Sequence, residues 1–196
     1  VGESFYEGLC LRATSHIIPN FTDFHRDDLE GYPYDPDRAN QLLDEAGYED
    51  IDGDGFREDP DGQPLEITYA ARAGSEVRET VAQYYIQSWQ EIGLNASLLE
   101  GRLHESNAFY DRVEADDPDI DVFEAGFGVG ALGFDPTPIG LYGPSEPFNL
   151  SRYESEENNE YLQKFVSNEA FDDDYRKQVF YDWQEFFMDE IPTLPT

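Results

Sequence analysis

Apolar residues recur at helical spacing in five stretches of the chain. In the first, Ala39, Leu42 and Leu43 fall at positions i, i+3 and i+4, which places them on one face of an α-helix. Asp35, just before this stretch, is suited to cap a helix, because its carboxylate accepts hydrogen bonds from the free N–H groups of the first turn. The periodicity predicts helices over residues 36–46, 76–92, 104–113, 156–166 and 173–188.

Apolar and polar positions alternate between some of these helices. Leu65, Ile67 and Tyr69 alternate with polar residues, a pattern typical of a strand with one buried face. Strands are predicted over residues 65–70, 94–100 and 120–127. Strands that alternate with helices are typical of βαβ units, so the sequence predicts an α/β fold with a mostly parallel sheet flanked by helices. A length of 196 residues suits a single domain of this class, spanning residues 1–196.

Two segments lie outside this pattern. Residues 1–34 are predicted to be an extended lead-in segment, because each proline in it biases its predecessor away from helix. Residues 126–149 are rich in glycine, proline and aromatic residues and follow the last predicted strand. Ligands of open α/β sheets bind at the carboxyl ends of strands, so we expect this loop to face a ligand. The alternative is a structural loop whose aromatic side chains pack into the core.

The charge of the chain is strongly negative. It has 44 acidic and 12 basic residues, a net charge of −32. Nucleic acids and anionic membrane surfaces attract basic proteins, so neither is an expected partner. Only Lys164 and Lys177 are lysines, against ten arginines. Scarce lysine with excess acid is typical of proteins from high-salt organisms, where salt screens the repulsion. An acidic but ordinary secreted domain is the alternative.

No motif in the sequence indicates catalysis. The chain has no GxSxG, HExxH or P-loop pattern, and its three histidines show no ligand spacing. A single cysteine excludes an internal disulfide, and no apolar run approaches the length of a membrane span. We therefore expect a protein that is not an enzyme and that requires no cofactor.

An acidic, glycine-rich turn is the sharpest candidate for a metal site. Its oxygen atoms follow the order of an EF-hand loop, and calcium prefers such ligands. The positions are taken by Asp50, Asp52, Asp54, the backbone carbonyl of Phe56, Glu58 and Asp61. Arg57 stands where an aliphatic residue is usual, aspartate replaces the final glutamate, and a strand follows instead of a helix. The sequence therefore predicts a possible structural calcium ion, with a solvated turn as the alternative.

Residues 34–48 resemble a signature of the oligopeptide and dipeptide solute-binding proteins of ABC importers. The stretch reads YDPDRANQLLDEAGY, against the family pattern YDPxxAxxLLxEAGY. Further steps of the family follow in the same order. They lie at residues 52–55, 89–94, 119–123, 134–136, 148–153 and 191–192.

The resemblance implies a periplasmic-binding-protein-like lobe in a two-lobed protein that closes around a peptide and delivers it to a membrane permease. The chain would be most of the second lobe, with the remaining lobe, the peptide and the permease as partners. The protein would be extracytoplasmic and anchored to the membrane. Some relatives of this kind carry nickel or sugars, which leaves the cargo open.

The resemblance also implies which residues line the cleft. They are Phe127, Gly128, Val129, Asn149 and Arg152. In some members an acidic residue after the third strand holds the amino terminus of the peptide, and no acid matches here between Gly128 and Gly133. The alternative function is an extracellular interaction module stabilised by calcium.

Overall fold

The structure, a computed structural model, describes residues 8–126 and 135–195. These residues form two compact units. The first unit holds residues 33–126, and the second holds residues 8–32 and 135–195. The sequence-based assignment of residues 1–196 to a single lobe stays a prediction.

The first unit contains a three-stranded parallel sheet. Its strands are β1 (Glu66–Ala70), β2 (Asn95–Leu98) and β3 (Val122–Phe123), in the order β2-β1-β3. Ile67 of β1 pairs with Ala96 of β2. The parallel arrangement confirms the predicted α/β class, although β3 is much shorter than the predicted 120–127. Just before β3, the side-chain carboxylate of Asp121 accepts a hydrogen bond from the backbone N–H of Thr68, at 2.7 Å. In a regular strand pair, a backbone carbonyl would accept this bond.

Three helices accompany this sheet. They are α1 (Pro36–Glu45), α2 (Glu76–Glu91) and α3 (Ser106–Glu114), close to their predicted bounds. Ala82 and Ile86 of α2 pack with Tyr69 and Ala96 of the sheet to form the core of the unit. In α1, whose ten residues are all described, no side chain is buried. Packing therefore fixes α2 more strongly than α1.

The second unit has three α-helices among its described residues. They are α4 (Ile139–Tyr142), α5 (Glu156–Phe165) and α6 (Asp173–Glu190). Phe180, Trp183 and Phe187 of α6 are almost fully buried, and Ile17 joins them from the amino-terminal segment. α4 lies inside the stretch 126–149 that the sequence predicts as a loop. Among the described residues, no helix has both the length and the apolar character needed to cross a bilayer.

The amino-terminal segment lies against α6. Residues 8–34, the described part of the predicted extended segment, contain no helix or strand. Gln184 of α6 is fully buried, and its amide nitrogen donates to the carbonyl of Phe24 at 2.8 Å. The side-chain oxygen of Gln184 accepts hydrogen bonds from the hydroxyl of Ser15 and the backbone N–H of Arg26. These bonds hold an irregular segment in one position without a sheet.

Candidate functional site

The acidic turn is organised by its own aspartates. The carboxylate of Asp50 accepts hydrogen bonds from the backbone N–H groups of Gly53 at 2.7 Å and Gly55 at 3.0 Å. Asp54 accepts one from Phe56 at 2.8 Å. Gly53 and Gly55 adopt φ values of 81° and 98°, a region that favours glycine. The Asp and Gly residues thus close a tight turn that draws its carboxylates together.

Three carboxylates in this turn meet closely enough to share a cation. Asp50, Asp52 and Glu58 each offer an oxygen atom, and these atoms lie within 4.8 Å of one another. Glu58 is buried and also accepts a hydrogen bond from the backbone N–H of Ile51 at 2.7 Å. Asp54 and Asp61, which the sequence places among the ligands, lie outside this group. The cluster therefore brings together positions 1, 3 and 9 of the predicted EF-hand order.

Arg57 explains why this turn departs from the EF-hand pattern at position 8. Its guanidinium donates to the carbonyl of Ile92 at 2.9 Å and to the carboxylate of Asp44 at 2.6 Å. It also donates to the carbonyl of Tyr48 at 2.5 Å and to the side-chain oxygen of Asn40 at 2.9 Å. An aliphatic residue could make none of these bonds. Arg57 ties the acidic turn to α1 and to the end of α2.

The predicted cleft residues are only partly described. Phe127, Gly128 and Val129 lie outside the described residues. Arg152 adopts a φ of 53°, and its guanidinium donates to the carbonyl of Leu150 at 2.6 Å. The assignment of these four residues to a ligand cleft stays a prediction.

Asn149 uses its side chain to hold its own loop. The residue is buried, and its amide nitrogen donates to the carbonyls of Gly143 at 3.1 Å and Tyr153 at 2.9 Å. Its side-chain oxygen accepts hydrogen bonds from the backbone N–H of Tyr153 and the hydroxyl of Ser151. Both amide hydrogens are therefore committed to backbone carbonyls. The assignment of Asn149 to the ligand cleft stays a prediction.

Two contacts that the sequence did not indicate hold residues 135 and 136, in the predicted ligand-facing loop. The Nε2 atom of His16 lies 2.8 Å from the carbonyl oxygen of Pro136. Arg176 donates from one guanidinium nitrogen to both carboxylate oxygens of Asp135, each at 2.9 Å. Burial lowers the pKa of His16 from 6.5 to about 4, so the ring is neutral near pH 7. No local sequence signal joins residues so far apart in the chain.

The chain matches a known family over most of its length. Residues 1–149 match the sequence profile of the middle region of the bacterial extracellular solute-binding proteins, family 5. The oligopeptide-binding protein OppA of Lactococcus lactis subsp. lactis strain IL1403 is 35% identical over 197 residues. That alignment covers 100% of this chain and 32% of the relative. The chain thus spans about a third of the length of the curated OppA relatives that it matches.

Solved structures agree with this match. Lactococcal OppA, complexed with an endogenous peptide in the closed conformation, superposes with a TM-score of 0.86 at 33% identity. The superposition covers 94% of this chain and 34% of OppA. A mannohexaose-bound periplasmic oligopeptide-binding protein of Thermotoga maritima superposes with a TM-score of 0.80 at 24% identity, over 99% of this chain and 37% of that one. At that lower identity the likeness shows the fold alone.

Proposed function

We propose a function from one premise: the chain belongs to the bacterial extracellular solute-binding proteins of family 5. The full-length protein is the substrate-binding component of an ABC importer, and peptides are its cargo. The observation that carries this proposal is the 35% identity to lactococcal OppA over the whole chain. The TM-score of 0.86 to a peptide-bound OppA supports it.

The chain forms most of the second lobe of that protein. The remaining lobe supplies the opposite wall of the cleft, and a membrane permease receives the cargo. The protein works outside the cytoplasm, is anchored to the membrane and catalyses no reaction. The family's description as extracellular supports the location.

Within this lobe, Phe127 offers an apolar wall, and the backbone at Gly128 and Val129 approaches the peptide closely, because glycine leaves room beside the main chain. Arg152 meets a carboxylate of the cargo, with a carboxylate of a neighbouring aspartate or glutamate as the alternative partner. Asn149 lies at the cleft, and its amide nitrogen, bound to two carbonyls, holds the shape of its loop beside the cargo.

A mixed peptide library tests this function. The full-length protein is incubated with the library, separated by ultrafiltration, and the retained peptides are identified by mass spectrometry. We expect retention of peptides by the full-length protein and weak retention by the 196-residue chain alone, because half of a closing cleft lacks the contacts of the other half. Micromolar binding by the isolated chain contradicts the half-cleft assignment.

The same experiment separates peptides from other cargo. Sugar and nickel are the alternative cargoes, as found in solved proteins that share this fold. If the full-length protein retains no peptide, titration with oligosaccharides and with nickel chloride identifies which of these it binds. Retention of peptides without a response to either solute supports the peptide assignment.

Calcium at the acidic turn is a second, independent proposal. The ion is structural, and the three close carboxylates of Asp50, Asp52 and Glu58 support it. Extracellular calcium modules commonly bind with a dissociation constant of about 0.1–1 mM. In this range the ion stabilises the turn by binding only the folded state.

Calorimetry on the chelator-treated chain tests the calcium site. We expect calcium binding by the wild-type chain and none by Asp52→Asn, which removes a charged ligand at nearly constant volume. Asp61→Asn is the matched control, because Asp61 lies in the same turn but outside the close group. An equal loss in both variants supports the EF-hand order predicted from sequence, and no binding by the wild-type chain leaves an ordinary turn.

A further inference from the structure

We propose that His16 and Arg176 are positioning residues for the cargo: together they fix Asp135 and Pro136 in the predicted ligand-facing loop, residues 126–149. This inference rests on the proposed function, because it assigns these side chains a part in forming the binding cleft. It concerns residues that touch the loop and that need not touch the cargo.

His16 holds the carbonyl of Pro136. A carbonyl oxygen only accepts hydrogen bonds, so the Nε2 atom of His16 carries the proton and donates it across 2.8 Å. Among the described residues, the other ring nitrogen of this side chain has no hydrogen-bond partner. The ring packs edge-on against Trp183, with centroids 5.2 Å apart. The single N–H of this buried, neutral ring is therefore used to bind the Pro136 carbonyl.

Arg176 holds the side chain of Asp135. Its guanidinium reaches both carboxylate oxygens at 2.9 Å. The same group lies over the rings of Phe24 and Phe180, at 5.7 Å and 5.3 Å from their centroids. Its side chain is only 20% exposed, although that of Asp135 is 61% exposed. The two rings restrict the movement of the guanidinium. The ion pair therefore holds the exposed side chain of Asp135 in a defined position.

The two contacts hold consecutive residues, Asp135 and Pro136, and the side chains that make them come from different parts of the fold. His16 belongs to the amino-terminal segment, and Arg176 belongs to the first turns of α6. The carboxylate of Asp135 also accepts a hydrogen bond from the backbone N–H of Thr137, at 3.1 Å. Side chain and backbone are thus both fixed at this point of the loop. A loop that is ordered before binding loses less conformational entropy on binding, which raises affinity.

Four variants of the full-length protein test the proposal. His16→Leu removes the donor, and His16→Gln restores it, because the glutamine amide nitrogen can donate in place of Nε2. Arg176→Lys keeps the charge but loses the planar, ring-stacked guanidinium. Glu185→Gln is the matched control: it breaks the 3.2 Å ion pair between Arg26 and α6, away from Asp135.

The probe is the mixed peptide library, and the measured quantity is the fraction of peptide that each variant retains. The measurement is made under conditions where circular dichroism shows that every variant is folded. We expect about tenfold weaker retention for His16→Leu and Arg176→Lys, which corresponds to about 1.4 kcal/mol. His16→Gln and the control should lie within about twofold of the wild type. Rescue by glutamine is the decisive result, since a general loss of stability would not be repaired by one restored donor.

The outcomes separate this inference from the proposed function. Wild-type retention in all variants, or an equal loss in Glu185→Gln, overturns the positioning role while leaving the function intact. If the wild-type protein retains no peptide, the proposed function fails, and hydrogen–deuterium exchange decides the inference. Faster exchange over residues 135–149 in His16→Leu, with recovery in His16→Gln, then supports positioning of this part of the loop, and unchanged exchange overturns it.

Discussion

The indole N–H of Trp183 donates a hydrogen bond to the side-chain oxygen of Asn158 across 3.1 Å. Both side chains are almost fully buried. The amide nitrogen of Asn158 donates in turn to the carbonyl of Tyr142 at 2.8 Å. One polar side chain therefore links α4, α5 and α6. Because buried polar groups that lose their partners are costly, this link favours one arrangement of the three helices over others.

Replacing Asn158 with leucine should destabilise the chain. The change leaves the indole N–H of Trp183 and the carbonyl of Tyr142 without partners, and each such group costs about 1–3 kcal/mol. We expect the free energy of unfolding, measured by urea titration with tryptophan fluorescence, to fall by at least about 2 kcal/mol. The control is Gln163→Ala on the exposed face of α5, expected to change it by less than about 0.5 kcal/mol. Similar losses in both variants contradict the role of Asn158.

Arg57 should resist even a conservative change. Its guanidinium reaches four acceptors around the acidic turn, and its side chain is only 12% exposed. Lysine keeps the charge, but its single ammonium group cannot reach all four acceptors. Arg57→Lys should therefore lower the free energy of unfolding by about 2 kcal/mol. Arg38→Lys alters an exposed ion pair to Glu45 at 3.6 Å and should cost less than about 0.5 kcal/mol. A loss for Arg57→Lys no larger than for Arg38→Lys contradicts this prediction.

The stability of the chain should depend on pH through His16. Its pKa is about 4 in the folded chain and 6.5 as an ordinary histidine. Between these values the unfolded chain binds the proton and the folded chain does not, so the contribution of this residue to stability rises with pH from 4 to 6.5. The difference corresponds to about 3 kcal/mol that is lost as the pH falls through this window.

The comparison with His16→Gln isolates this effect. The many carboxylates titrate in both proteins and cancel in the difference, while glutamine does not titrate. We expect the unfolding free energy of the wild-type chain, relative to the variant, to fall by about 3 kcal/mol between about pH 7 and pH 4. Parallel pH profiles for the two proteins would show that His16 is accessible to protons in the folded state.

Salt should stabilise the chain if its charge reflects a high-salt environment. At −32, self-repulsion opposes the compact state, and raising the ionic strength from about 0.1 M to about 1 M shortens the screening length from about 10 Å to about 3 Å. We expect the melting temperature to rise steadily with KCl over this range. Glucose at matched osmolality is the control, since it does not screen charge. A melting temperature independent of KCl contradicts the high-salt interpretation.

The helices of this chain were predictable because their signals are local. Asp35 accepts a hydrogen bond from the backbone N–H of Arg38 at 2.9 Å, three residues away, and α1 begins at the next residue, Pro36. The spacing of apolar residues likewise predicted α2 and α6 to within a few residues. The order of the motifs also indicated the family. β3 was overestimated, because an apolar run does not reveal where its neighbouring strand stops offering backbone partners.

The tertiary structure decided how the polar side chains are used. His16 pairs with a carbonyl 120 residues away, and Arg176 pairs with a carboxylate 41 residues away. The amide nitrogen of Asn149 donates to two carbonyls of its own turn, which the sequence does not indicate. Of the acidic residues in the EF-hand order, Glu58 joins Asp50 and Asp52 in the close group, while Asp54 and Asp61 lie outside it. Periodicity reports which face of an element is apolar, but a hydrogen-bond partner depends on which distant segment packs against that face, and only the folded chain brings the two together.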